Sequence, residues 1–238
     1  MKVKVGAHRG AHDAGVKENS LAAFGRAVEL GCDFVELDVR RSADGRLAVC
    51  HDPAVSSRRL DRLSLEEARR LAVDPGGEIP ALEDALAVLA GRLQVDIEIK
   101  ARGFEREVLA VASAVLPPGS YFISSFDRSV LRTVATLTPA VPRGWIVGER
   151  PGRWWQRARI RLFLPRLAAG VLAPPAFLIP HHSLVDARLM AQCGGLGIGV
   201  IPWTVNDPAM MAKLIDMGVD GIISDRPDLV QATLKKRR

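Results

Sequence analysis

Short runs rich in β-branched residues alternate along this chain with longer segments of helical period, and this alternation limits the folds open to it. The pattern is typical of repeated βαβ units, which build a parallel sheet and define the α/β class. We predict eight strands, at residues 3–8, 34–40, 93–100, 121–124, 144–147, 177–180, 199–203 and 221–224, with a further short strand at 47–51. The predicted helices span residues 20–30, 82–89, 104–115, 127–137 and 207–217.

Eight parallel strands favour a closed (β/α)8 TIM barrel over an open, doubly wound sheet. An open sheet usually carries a glycine-rich phosphate loop after its first strand, whereas here that turn reads His8-Arg9-Gly10-Ala11-His12. A length of 238 residues suits one barrel domain covering residues 1–238. Two segments depart from the repeat and are expected to lie at the rim: a short lid insertion at about 53–78 and a basic Arg/Trp segment at about 150–166.

The formal charge of +6 is unevenly placed, since residues 150–185 contain six arginines and no aspartate or glutamate. Such a stretch suits an anionic partner, although a solvated arginine face is the commoner explanation. Peripheral contact with a membrane through residues 150–170 is one expectation. Nucleic-acid binding is not expected, because Tyr121 is the only tyrosine and no groove-reading motif is visible.

Several features indicate a cytoplasmic protein. The N-terminus has no apolar stretch of signal-peptide length, and the longest apolar run, 167–180, is interrupted by prolines and shorter than the roughly 20 residues of a membrane span. The three cysteines, Cys32, Cys50 and Cys193, are widely spaced and are expected to be reduced. The oligomeric state stays open.

Carboxylates alternate with apolar residues on two of the predicted strands. Glu36 and Asp38 are two residues apart, and Asp96 and Glu98 repeat this spacing on the third strand. On a strand this spacing puts both side chains on one face, which in a barrel points inward. Converging carboxylates resist ionisation unless a cation lies between them, and oxygen ligands suit a hard divalent ion such as Mg²⁺ or Ca²⁺. A strand with one hydrated face is the alternative for either strand alone.

Two histidines and two cationic residues complete a candidate site at the strand ends. His8 ends the first strand and His51 the short strand after Asp38, so the two imidazoles could share general-acid and general-base duty. Arg9 and Lys100 supply the positive charge that a phosphodiester needs. Phosphate chemistry is therefore the predicted function.

Nine short motifs, in this order, resemble those of the glycerophosphodiester phosphodiesterase family. They begin at His8, Glu18, Glu36, His51, Ile79, Glu98, Ser124, Trp203 and Gly221, and read HRG, EN, ELDV, HDP, IPALE, EIK, SSFD, WTVN and GIISDRP. They cover nearly the whole chain. The resemblance implies a barrel of the phospholipase-C-like phosphodiesterase type and a small-molecule glycerophosphodiester as substrate.

The resemblance also implies roles for individual residues. Glu36, Asp38 and Glu98 would bind one divalent cation (Mg²⁺, Ca²⁺ or Mn²⁺), and His8 and His51 would be the acid/base pair. The residues that would contact phosphate or substrate are Arg9, Lys100, Asn19 and Trp203. A substrate hydroxyl could attack phosphorus first, with water then opening a cyclic phosphate. The preferred alcohol stays open, because residues 53–77 lack the run rich in threonine and glycine often found in the family's lid.

Two alternatives accompany this prediction. A lysophospholipase D acting on membrane-derived lysophospholipids would use the Arg/Trp segment, whose tryptophans beside arginines suit a lipid interface. A barrel that binds phosphoesters without turnover is the other, although binding alone does not require two imidazoles. His181 and His182 could line the mouth of the barrel, and His12 is expected to be an exposed loop residue.

Overall fold

The computed structural model describes residues 2–13, 15–72, 78–148, 160 and 174–237. Its strands, in chain order, are β1 Lys4–Ala7, β2 Phe34–Arg41, β3 Leu47–Val49, β4 Ala54–Val55, β5 Arg58–Arg59, β6 Gln94–Ile99, β7 Tyr121–Ser125, β8 Arg143–Val147, β9 Phe177–Pro180, β10 Gly199–Val200 and β11 Gly221–Ser224. The helices are α1 Leu21–Glu29, α2 Leu65–Leu71, α3 Leu82–Leu89, α4 Glu105–Val115, α5 Arg128–Leu137, α6 Ala187–Gly195, α7 Pro208–Asp216 and α8 Pro227–Lys235.

Eight of these strands form the predicted parallel barrel. They pair in the order β10-β9-β8-β7-β6-β2-β1-β11, and the short β3 adds antiparallel to β2. The seam is closed by backbone hydrogen bonds from Asp220 N to Val200 O, 2.9 Å, and from Ile223 N to Pro202 O, 3.0 Å. The predicted strand at 199–203 is regular only over β10, because proline at 202 has no N–H to donate to a ladder.

Three of the predicted helices begin at a residue that caps the helix in the structure. Ser20, Asp127 and Asp207 each accept a hydrogen bond from a backbone N–H of the first turn of α1, α5 and α7. The sequence prediction omitted α2, α6 and α8. The start of α2 did carry a recognisable signal, since Ser64 and Glu67 form a reciprocal capping box.

The interior of the barrel is divided into an apolar lower part and a polar upper part. The lower part is a cluster of six buried side chains: Phe34, Phe122, Ile146, Ile179, Ile201 and Ile223. Gly6 makes room for this cluster, because a Cβ there would lie 2.2 Å from Phe34 Cζ. Glu36, Asp38 and Glu98 follow on the same strand faces towards the strand ends, where TIM barrels carry their active sites.

The predicted insertion at 53–78 contains β4, β5, a 3₁₀ turn at Leu60–Arg62 and α2, with residues 73–77 outside the described part of the chain. It packs on the neighbouring chain through one buried cluster, formed by Val55, Leu60, Leu63, Leu65 and Ala68 of the insertion with Ala48, Ile79 and Ala81 outside it. Of the predicted Arg/Trp segment, only Ile160 is described, and it is buried. Within the described ranges, no helix is both long and apolar enough to cross a membrane.

Candidate active site

Three carboxylates converge at the upper end of the barrel because β2 and β6 are neighbours. The register pairs Glu36 with Asp96 and Asp38 with Glu98. Glu36, Asp38 and Glu98 are all buried, and each has an oxygen within 4.8 Å of the others. The structure thus brings together the three residues predicted as metal ligands. We call them the carboxylate triad.

The electrostatics of the triad are set by burial and by two cations. Burial, with Asp38 and Glu98 nearby, raises the pKa of Glu36 well above its usual value. Burial also raises the pKa of Glu98 to about 7. For Asp38, burial opposes ionisation, but Lys100 and Arg9 outweigh it and lower the pKa of that carboxyl to about 2. Lys100 Nζ lies 3.0 Å from Asp38 Oδ1 and 2.9 Å from Glu98 Oε1.

The triad has the donor chemistry of a hard-cation site. All its donors are carboxylate oxygens, and Glu36 Oε1 is a buried atom that has no hydrogen-bond partner among the described residues. A buried carboxylate oxygen without a partner is costly, and a divalent cation would offset that cost. These residues therefore fit one oxygen-liganded divalent ion.

The two predicted catalytic histidines line one pocket. His8 Nδ1 lies 2.6 Å from Asp225 Oδ1, while its Nε2 faces the triad, 4.0 Å from Glu36 Oε2. His51 Nδ1 contacts Asp52 Oδ1 at 2.9 Å. Burial and the nearby positive charge of Lys100 lower the pKa of His51, which favours the neutral form of its ring.

This pocket, which we call the barrel pocket, has a volume of about 290 Å³. It is lined by His8, Arg9, Glu36, His51, Asp96, Glu98, Lys100, Phe126, Ile146, Ile179, Trp203 and Ile223. Trp203 contacts Phe126 edge-on at a centroid distance of 5.5 Å, and its Nε1 is buried without a partner among the described residues. The lining thus combines aromatic and charged side chains, and Lys100 Nζ lies 5.9 Å from the centre of the Phe126 ring.

Arg9 occupies a strained turn that places it beside the triad. Its φ angle is +54°, and Gly10 follows at +85°. The Arg9 backbone N–H donates to Glu36 Oε2 over 2.9 Å, and its guanidinium contacts Glu18 Oε1 at 2.7 Å and Asp38 Oδ2 at 3.2 Å. Arg9 therefore lies beside two of the three candidate ligands.

Asn19 also lies at the site, where it contacts the triad through Asp38. Its Nδ2 donates to Asp38 Oδ2 over 2.7 Å, and Asp38 N donates back to Asn19 Oδ1 over 3.3 Å. In this arrangement Asn19 orients a carboxylate of the triad. Its predicted contact with substrate stays a prediction.

The sequence prediction missed the group that surrounds Asp225. Asp225 was recognised only as part of the GIISDRP motif, yet its carboxylate contacts His8, His12 and Asn206. The expectation that His12 is an exposed loop residue is wrong, since its side chain is 20% exposed and bonded to Asp225. His181 stacks near His182 and meets the edge of Trp203, but neither histidine is among the residues that line the barrel pocket.

Comparison with known proteins identifies the family of this chain. The model of the glycerophosphoryl diester phosphodiesterase family matches residues 8–229. The chain belongs to this family. A glycerophosphodiester phosphodiesterase of Caldanaerobacter subterraneus subsp. tengcongensis is 32% identical, covering 99% of both chains. Family membership confirms the predicted enzyme class, a phosphoric diester hydrolase, and does not favour the non-catalytic alternative.

Solved structures of the phosphodiesterase family confirm the predicted TIM barrel. A glycerophosphodiester phosphodiesterase from Parabacteroides distasonis has a TM-score of 0.85 at 25% identity and covers 99% of this chain and 98% of its own. An Oleispira antarctica phosphodiesterase in complex with the product sn-glycerol-3-phosphate has a TM-score of 0.82 at 27% identity, covering 98% of this chain and 96% of its own.

Proposed function

We propose that this protein hydrolyses glycerophosphodiesters to glycerol 3-phosphate and an alcohol. The observation that carries the proposal is that one pocket is lined by two imidazoles, by two cationic side chains and by carboxylates of the triad. The product bound to the Oleispira antarctica relative supports the same substrate class.

The triad would hold one divalent cation, with Mg²⁺ or Ca²⁺ favoured by the oxygen donors and Mn²⁺ as a further candidate. When bound, such an ion supplies positive charge that polarises a phosphoryl oxygen and lowers the pKa of a hydroxyl. Asn19 and Arg9 keep the Asp38 carboxylate in place, since both contact its Oδ2.

The two histidines would divide the proton transfers. The lowered pKa of His51 leaves its ring free to accept a proton from the attacking hydroxyl at neutral pH. His8 would then protonate the leaving oxygen through Nε2, the nitrogen that faces the pocket. Its other nitrogen contacts Asp225, which fixes the orientation of the ring. A base or acid held by a third group is the usual arrangement of such catalysts.

The cationic side chains would bind the phosphate. Lys100 Nζ and the Arg9 guanidinium both contact the Asp38 carboxylate of the triad. A phosphate bound beside the cation would therefore also lie close to these two positive charges. Trp203 and Phe126 offer an apolar wall for the carbon atoms of the substrate.

The test is release of glycerol 3-phosphate from glycerophosphocholine and glycerophosphoethanolamine by metal-stripped protein, with Mg²⁺, Ca²⁺ or Mn²⁺ added back. We expect turnover to require a cation and to fall by about 10²-fold or more in His8→Ala and in His51→Ala. His182→Ala is the matched control, since His182 lies outside the barrel pocket. Full activity after metal removal, or in either catalytic variant, would contradict the proposal.

The lysophospholipase D alternative is not favoured. The segment that motivated it, 150–166, lies outside the described residues apart from Ile160, and peripheral membrane contact through 150–170 stays a prediction. Phosphorus NMR during turnover would separately detect a cyclic phosphate, if a substrate hydroxyl rather than water attacks first.

A further inference from the structure

A second group of side chains with metal-ligating atoms lies on the opposite side of His8 from the carboxylate triad. His8, His12 and Asp225 each offer one donor atom, and these atoms all lie within 4.8 Å of one another. His8 Nδ1 is 2.6 Å and His12 Nε2 is 3.3 Å from the same oxygen, Asp225 Oδ1. The proposed reaction needs the other nitrogen of His8 and has no use for His12.

We infer that His8, His12 and Asp225 form a second metal site, which takes Zn²⁺ or a similar transition-metal cation. Two imidazole nitrogens and one carboxylate oxygen are ligands that suit zinc. The triad offers oxygen alone and suits a hard ion. The two sites therefore differ in the class of metal that each selects, although His8 lies between them.

The distances fit zinc after a small adjustment. Zinc bonds to nitrogen and oxygen of about 2.0–2.2 Å place two ligand atoms of a tetrahedral site about 3.3 Å apart. The contact between His12 and Asp225 already has this length, 3.3 Å. The contact between His8 and Asp225 would lengthen by about 0.7 Å to reach it. The three side chains are 14%, 20% and 31% exposed, so water can complete the coordination.

The surroundings hold the three ligands in position. Asn206 Nδ2 donates to Asp225 Oδ2 over 2.6 Å, which leaves Oδ1 directed at the two histidines. Asp225 N donates in turn to Asn206 Oδ1 over 3.0 Å. The loop that carries His12 is anchored by the hydrogen bond from Ala11 N to Ala23 O, 2.9 Å. Such supporting hydrogen bonds are typical of metal ligands.

Occupation of this site would switch off the reaction, a consequence that rests on the proposed role of His8. A neutral imidazole that binds metal through Nδ1 carries its one proton on Nε2. Because the metal holds Nδ1, His8 can no longer carry a second proton, and this neutral ring gives up its Nε2 proton to the leaving oxygen far less readily than an imidazolium would. The proton that His8 Nδ1 shared with Asp225 is released to solvent on binding. Zinc would inhibit without displacing the cation on the triad.

The test is a titration with Zn²⁺, and in parallel with Co²⁺, of protein kept in excess Mg²⁺ so that the triad stays occupied. Bound zinc is measured by equilibrium dialysis, bound cobalt by visible absorption, and turnover in the same samples. We expect one equivalent of zinc to bind, with turnover falling in parallel and not recovering as Mg²⁺ is raised. His12→Gln should weaken zinc binding by more than tenfold, since loss of even outer supporting groups costs about 10–100-fold.

Three variants make the outcome decisive. His12→Gln should keep its turnover in the presence of zinc, His12→Glu should retain zinc because its carboxylate can reach the position of His12 Nε2, and His182→Gln should behave as the unchanged protein. If His12→Gln leaves the zinc affinity unchanged, or if added Mg²⁺ releases the zinc in proportion, then zinc binds elsewhere. Either result would overturn the proposed site. Dialysis does not depend on turnover, so failure of the proposed phosphodiesterase activity would be seen separately.

Discussion

Arg40 Nε donates a hydrogen bond to the backbone carbonyl oxygen of His51 over 2.8 Å. Arg40 lies at the end of β2, two residues after Asp38, whereas His51 lies beyond β3. This bond ties the loop that carries His51 to the strand that carries Glu36 and Asp38. It therefore helps to fix the distance between the proposed base and the triad.

Removal of this bond should lower the rate of the chemical step. In Arg40→Met we expect kcat to fall about tenfold, equivalent to about 1.4 kcal/mol of transition-state stabilisation, with KM little changed. Arg41→Met is the matched control, because Arg41 is the next residue and bonds instead to Gly103 O and Glu107. Steady-state kinetics of the two variants would check this. An equal loss of kcat in both variants would show that removal of a positive charge, and not loss of the hydrogen bond to His51, causes the effect.

Asp225→Asn should impair His8. The carboxylate of Asp225 is held ionised: burial opposes ionisation, but hydrogen bonds from His12 and His8 outweigh it and place its pKa well below the usual range. An amide is neutral and can present N–H instead of an acceptor to His8. We expect kcat to fall about 10²-fold or more. Asp228→Asn, which affects an ion pair with Arg226 on the surface, serves as control. Unchanged kcat in Asp225→Asn would remove Asp225 from the mechanism.

Glu36→Gln should make the metal-free protein more stable while removing its cation-dependent activity. Burial raises the pKa of Glu36 because its charge is poorly tolerated in the metal-free protein. A neutral amide of the same shape relieves that cost. We expect the Tm of metal-free Glu36→Gln to rise by about 2–4 °C, the shift for each kcal/mol in a chain of this size, while cation-dependent activity is lost. Thermal melts with and without Mg²⁺ would show this, with the exposed Glu29→Gln as reference. A lower Tm in the variant would contradict the argument.

Stabilisation by the cation should grow with pH. The folded pKa of Glu98, about 7, lies above its usual 4.5, so the metal-free protein loses stability as pH rises through that interval and Glu98 ionises. The ionised carboxylate is the form that binds a cation. The rise in Tm caused by Mg²⁺ should therefore be larger at about pH 8 than at about pH 5.5. An equal rise at both values would argue that Glu98 is not a ligand.

Gly10 and Gly45 offer a matched pair for the turn that positions Arg9. Both have positive φ angles, +85° and +79°, so alanine at either should cost about 1–2 kcal/mol of unfolding free energy. A Cβ at Gly10 would also lie 2.6 Å from Ala23 Cβ, whereas nothing lies within 4 Å at Gly45. Gly10→Ala should therefore lose a further about 1–3 kcal/mol and lower activity as well. Denaturant melts of both variants would measure the difference.

The sequence by itself determined the barrel, its strands and most of the residues that the structure brings together in the candidate site. Strand faces have a period of two and helix faces a period near 3.6, so local patterns suffice to place Glu36, Asp38 and Glu98 on inward faces. The helices predicted at 20–30, 127–137 and 207–217 likewise start at the residues that cap α1, α5 and α7 in the structure. The family resemblance, which the comparisons confirm, rests on the same local motifs.

Only the tertiary structure decided which residues surround His8. Closure of the barrel sets β1 beside β11, and this brings Asp225 to His8 across 217 positions of sequence. No local sequence pattern predicts the contact between His8 and Asp225, because this contact arises from the pairing of the first and last strands. The contact of His12 with Asp225 follows from the same closure, whereas Asn206 precedes Asp225 by only 19 residues and meets it from the end of the neighbouring strand.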